Sequence, residues 1–220
     1  MMNELNDELA TLIDSALDNQ DIDSIYDLIL HFNKIPQEVL KELELAKIAF
    51  LKANCFAGIR HLQNFDDLWS WNNSYLEKEI YQLRVARNFL SKIPFEEDGT
   101  DLRFRVTTNL ANALNHIGRS VEAIDLWDEV LKELPNFAMS VGNRGHAFYW
   151  YGKYLYDSGH QGAFLNESYH QIKLALKLGV EEHAQRDMQD WLKHLLELHD
   201  WENFQFQPEE ELRGRSKREK

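Results

Sequence analysis

The sequence is short of almost everything that stops or cross-links a helix. Its 220 residues include one cysteine, four prolines and ten glycines. A single thiol, Cys55, excludes a disulfide framework within the chain and suits a reducing compartment. Set in an apolar helical stretch, it reads as a buried small hydrophobe. So few turn-formers argue against a fold of many short strands. No apolar run approaches the ~20 residues that a membrane-spanning helix needs. The first ten residues are polar and acidic, unlike a signal peptide. Positive charge is also in deficit: 24 Lys and Arg against 37 Asp and Glu leave a formal charge of −13. Such a surface repels phosphate backbones at long range, which disfavours duplex nucleic acid as a partner of the protein's body. The expected location is the cytoplasm.

What is abundant is helical periodicity. Leu5, Leu9, Leu12, Ile13 and Leu17 form one apolar stripe, at the spacing that brings side chains to one helix face. Asn19 to Asp21 break it, and Ile22, Ile25, Ile29 and Phe32 start a second helix. Pro36 is expected to open a third, since its missing N–H costs nothing in a first turn. That helix reads on to about His61. Residues 64–73 look like a connector with an aromatic plug of Trp69 and Trp71. A further helix is expected from about Tyr75 to Leu90, then a polar turn at 96–100.

Residues 102–134 read as two amphipathic helices split by Gly118 and closed by Pro135. The unit is ~34 residues long and resembles a tetratricopeptide (TPR) repeat. Leu110 and Ala111 match the packing positions of the first helix, and Gly118 matches the turn. Ala123, Trp127 and Leu131 match the second helix, and Thr107 departs from the aromatic often found early in the first. A longer unit follows. Gly145 and Phe148 sit at repeat positions, an aromatic run continues to Tyr156, and a break is expected over 157–162. A last helix, about Glu181 to Leu198, reads as a cap. The expected fold is all-α: a TPR-like, right-handed helical-repeat solenoid with a degenerate N-terminal part. The expected division is a degenerate region at 1–95, TPR-like repeats with a capping helix at 96–200, and a polar, basic tail or linker at 201–220.

The stretches LAKIAFLKANCFAG (45–58), LWSWNN (68–73), LRVARNFL (83–90), the repeat at 108–127, the segment 135–160 ending in LYDSGH, and the closing GRSKREK (214–220) carry a closer likeness. In that order they resemble the TPR-bearing N-terminal half of a bacterial family with a C-terminal HEPN domain. HEPN domains are commonly ribonucleases that use an arginine and a histidine four to six residues apart. Arg186 and His194 are too far apart for that pattern, and Arg144 and His146 too close, so ribonuclease activity does not carry over. The resemblance implies a recognition or regulatory half, with the effector half expected beyond this chain.

No HExxH, CxxC or paired i, i+4 histidines with a carboxylate are present, so no metal site or cofactor is expected. Asp157 and His160 are close enough in sequence to pair in a loop, and the simpler expectation is a helix cap. No catalytic residue emerges. The expected binding surface is a groove lined by the first helices of the repeats: Arg105, Asn109, Asn112 and His116, then Asn143, Arg144 and Tyr151. Asn112 and Asn143 resemble the asparagines with which some TPRs grip a peptide's C-terminal carboxylate. Thr108 stands where the clamp's lysine is expected. The expected function is a non-catalytic module that binds a protein or peptide segment, such as a HEPN effector domain. The competing expectation is an RNA-associated, nuclease-regulating protein that uses the cations at 213–220.

Overall fold

The apolar stripes fold as helices throughout. The computed structural model describes residues 2–63, 74–94, 100–180 and 182–199, and among these all regular structure is helical. In chain order the helices are α1 (Met2–Asp18), α2 (Ile22–Lys34), α3 (Glu42–Leu62), α4 (Ser74–Leu90), α5 (Thr100–His116), α6 (Ser120–Glu133), α7 (Ala138–Lys153), α8 (Ser158–Leu178) and α9 (Glu182–His199). The aromatic plug at 64–73 and the basic tail lie outside the described residues. None of the described helices is long and apolar enough to cross a membrane. The chain divides into two compact units, Met1–Leu126 and Trp127–Lys220.

In the first unit α3 is the central element. Its apolar residues run all round rather than along one face, as befits a buried helix. It packs on α1, α2 and α4. Leu9 and Ile13 of α1, Ile25, Ile29 and Phe32 of α2, and Ile48, Cys55 and Ile59 of α3 share one core. Gly58 lets α3 approach α1: a Cβ there would stand 2.4 Å from Leu17 Cδ2. Between α3 and α4 the core takes in a charged pair, Arg60 Nε donating to Glu79 Oε2 over 3.2 Å. Arg103 of α5 donates to the carbonyls of Leu90 and Ile93, where a cation complements a helix C-terminus. Burial pushes the Cys55 thiol up to about 12, so it is an unreactive core group at neutral pH.

Turn chemistry sets the boundaries. After α5, Gly118 takes φ 77°; Arg119 N–H donates to Leu114 O and Gly118 N–H to Asn115 O, the Schellman pattern. The end of α1 repeats it with Gln20 at φ 55° in the glycine position. Pro36 opens a short 3-10 turn, Gln37–Val39, and α3 begins only at Glu42. The cause is a second cap, in which the Lys41 N–H donates to the Glu44 carboxylate.

The second unit contains α7, α8 and α9, each touching the other two. Leu131, Val141, Tyr149, Leu165, Ile172, Met188 and Leu195 form its core. The small residues of α7 permit close packing. A Cβ on Gly145 would lie 2.8 Å from Gln171 Cβ and 3.1 Å from the Ile172 backbone nitrogen, and one on Gly142 would overlap Met188. The aromatic run predicts a helix reaching Tyr156, but α7 ends at Lys153. Asp157 caps α8 by accepting from the His160 N–H at 2.8 Å. Gly159 and Gly162 therefore fall inside α8, and the break is confined to 154–157. The repeat-matching residues Leu110, Ala111, Ala123, Trp127 and Leu131 are all buried.

Candidate functional site

Helix α5 is enclosed along most of its circumference. Phe104, Val106, Leu110, Ala111, Ala113 and Leu114 are buried, and so are the polar Thr107, Thr108 and Asn115. Beyond Leu102 and Arg103, the residues that keep contact with solvent form a narrow polar stripe: exposed Asp101 and Arg105, and half-buried Asn109, Asn112 and His116. The spacings of four, four, three and four residues keep these side chains on one face. Four of the five are residues that the sequence singles out. Arg105 is positioned from two sides, by Asp101 at 3.7 Å and by the Phe50 ring of α3, 5.4 Å from its guanidinium carbon. At the far end, buried Asn115 accepts a 2.8 Å hydrogen bond from Ser120, which fixes the last turn of α5 and with it His116. Thr108, one turn before Asn112, is 4% exposed, so no cation stands where a carboxylate clamp would need one. Two asparagine amides and an imidazole on this half-buried strip carry both donors and acceptors. That suits the alternating N–H and C=O groups of an extended backbone.

The α7 residues lie in the second unit and are largely engaged within it. Arg144 pairs with Asp128 of α6 and sits over the Phe148 ring at 5.8 Å; its side chain is 19% exposed. Tyr151 packs edge-on against Phe164 at 4.9 Å. Asn143 is half-buried. His146 of the same helix stacks on Trp191 of α9, with centroids 3.8 Å apart and planes within 9°, and receives the Trp150 indole N–H on Nε2 at 2.6 Å. An indole only donates, so that nitrogen carries no proton and the ring's hydrogen is on Nδ1. Sequence reading missed this cluster because Trp191 is 45 residues from His146.

The tyrosines of the aromatic run have different roles. Tyr149 is buried, Tyr154 is 60% exposed against Trp150, and Tyr156 is fully exposed beyond the helix end, so it shares no face with Tyr149. Asp157 and His160 do meet, with Nδ1 3.6 Å from the carboxylate and both side chains more than half exposed. This is the geometry of a surface helix cap. Among the described residues no group of three His, Cys, Asp or Glu is arranged to hold a metal ion.

A second feature of the first unit was not anticipated. A groove of about 470 Å³ opens between α1 and α2, floored by Leu9, Leu12 and Leu28. Its acidic character is visible in the sequence: residues 1–33 hold eight Asp and Glu and no Lys or Arg. The groove itself depends on how two helices pair, which composition does not specify.

Comparison with protein-family models and with curated proteins gives no match.

Proposed function

We propose that the chain is a non-catalytic, TPR-like helical-repeat interaction module that binds an extended polypeptide segment along the polar stripe of α5. The observation that carries this reading is the stripe itself. Arg105 is exposed and held at the head of the line by Asp101 and the Phe50 ring, and the half-buried Asn109, Asn112 and His116 follow it on the same face of an otherwise largely buried helix. Polar side chains aligned at a solvent-facing edge suit peptide recognition by main-chain hydrogen bonding. The TPR-like arrangement is supported by the Gly118 turn and by the i, i+1 and i, i+2 packing of α1 to α3 and of α7 to α9. The likeness of its segments to the N-terminal half of HEPN-domain proteins makes a HEPN effector domain the partner we favour, in a recognition or regulatory role. A cytoplasmic setting fits the lone, protonated Cys55.

The test uses the full chain to select binders from a displayed library of random dodecapeptides. Enriched peptides should lose at least about tenfold in affinity for Asn109→Ala/Asn112→Ala, roughly two hydrogen bonds, while far-UV circular dichroism and thermal midpoint stay unchanged. Equal binding by the double variant would remove α5 as the site. The competing reading rests on the cations at 213–220. Tight single-stranded RNA binding that survives deletion of 209–220 would replace the peptide-binding reading.

A further inference from the structure

The groove between α1 and α2 is a different surface from the α5 stripe, and its chemistry is specific. Its lining runs from Glu8 along α1 to Asn19 just past its end, and from Asp21, the cap of α2, to His31. At 1.5 Å of rise per residue that is a slot roughly 16 Å long, about three helical turns, so it suits a peptide better than a compact metabolite. The floor is apolar: Leu9 is buried, Leu28 is half-buried, and Leu12 remains 48% exposed. A leucine half in water in the lining of an elongated slot is an unfinished contact, since burying it would yield the transfer free energy of an aliphatic side chain.

The walls are acidic, with Glu8, Asp21 and Asp27 lining the opening. The Ser24 hydroxyl and N–H both donate to Asp21 and hold its carboxyl below the usual range, so it stays charged. These three belong to a segment of 33 residues with eight carboxylates and no lysine or arginine, which carries eight of the chain's thirteen net negative charges.

We infer that the α1–α2 groove is a docking site for a cationic amphipathic helix of a partner protein, one whose leucine-type anchors fill the floor over Leu12 while lysines or arginines meet Glu8, Asp21 and Asp27. The apolar floor supplies affinity, and the acidic walls select the sign of the partner and speed its approach. An acidic amphipathic helix would bury the same floor but would bring like charges against the walls, and a neutral one would leave the wall carboxylates without counter-charges.

The experiment is fluorescence anisotropy with the full chain and a labelled fifteen-residue peptide carrying leucines at i, i+4 and i+7 and lysines on the flanks. Two control peptides replace the leucines by serine or the lysines by glutamate. The lysine–leucine peptide should bind, more weakly at 0.5 M than at 0.05 M salt because the charged contacts are exposed, and both controls should fail. Leu12→Gln should weaken binding at least about tenfold by removing one apolar anchor. Glu8→Lys/Asp27→Lys should do so at low salt. All three positions are solvent-exposed, so the variants should keep the wild-type circular dichroism and denaturation midpoint. The inference is overturned if the wild-type chain does not bind the lysine–leucine peptide or if the variants bind it as tightly as wild type. It is overturned equally if the serine peptide binds as well as the leucine peptide, because the surface would then be merely acidic.

Discussion

In the first unit, helices meet through aliphatic and phenylalanine side chains, and that core admits ionisable groups: the Cys55 thiol, the Lys52 ammonium and the Arg60–Glu79 pair are all buried around α3. In the second, α7 brings its own backbone against α8 at Gly145 and Gly152, and stacked rings tie it to α9. Among the described residues, the fully buried polar residues there are small, Ser140 and Ser168. The two regions should therefore fail differently. The first is sensitive to which groups carry protons, and the second to added volume.

The largest expected effect is on the first side of that comparison. The Cys55 thiol moves from 9.0 to about 12 through burial. Its protonated form is the neutral one, so between those pH values the unfolded chain releases a proton that the folded chain keeps. The stability it confers is complete below about pH 9 and is lost as pH rises towards 12, at up to about 1.4 kcal/mol per pH unit, or about 4 kcal/mol in all. Urea denaturation at pH 7.5, 9 and 10.5 should show wild type losing about 2 kcal/mol more than Cys55→Ala between the last two points. Parallel slopes would mean that the thiol is not held protonated by its surroundings.

Added volume probes the second unit. Gly145→Ala would normally favour a helix by about 1 kcal/mol. Here the new methyl meets Gln171 Cβ at 2.8 Å and Ile172 backbone nitrogen at 3.1 Å, so overpacking should reverse the sign and cost about 1–3 kcal/mol. Gly159→Ala is the control: its Cβ would meet only Asp157 Oδ1, at 3.2 Å, and it should be neutral or mildly stabilising. Denaturation midpoints that rise equally for both would show that helix propensity, not close approach, governs these positions.

These cases separate what sequence pattern conveys from what it does not. The α5–α6 turn was readable because glycine freedom and flanking periodicity are local, and the buried Leu110, Ala123 and Trp127 follow from the same spacing. The stripe on α5 was readable for the same reason, apart from Asp101. The end of α7 was not, because an aromatic run satisfies helical periodicity up to Tyr156 while the Asp157 cap wins the last residues for α8. Nor was the role of Gly142 or Gly152, which depends on the residues opposite rather than on their neighbours in the chain. Arg144 looks as available as Arg105 in sequence; only folding brings Asp128 to it.

The two Schellman turns allow a smaller test, this time within the first unit. Gly118 holds φ 77° without strain, whereas Gln20 holds φ 55° with a side chain, a conformation that disfavours residues with a Cβ. Gly118→Ala should cost about 1 kcal/mol and Gln20→Gly should gain up to about 1 kcal/mol. Opposite shifts in thermal midpoint would bear this out, and a loss at both positions would refute it.

The smallest stability change should come from Arg105, and that smallness is informative. Arg144→Ala removes a pair and a ring contact from a side chain that is 19% exposed, and with Asp128 itself half exposed the cost should be about 0.5–1 kcal/mol. Arg105→Ala removes an exposed pair with Asp101 and should stay within about 0.5 kcal/mol of wild type. Yet it stands at the head of the open stripe. Peptide binding should follow the opposite order, lost with Arg105 and retained with Arg144. If stability and binding instead fall together at both positions, α5 and α7 do not differ in the way their contacts imply, and the polar stripe is part of the scaffold rather than a surface left open for a partner.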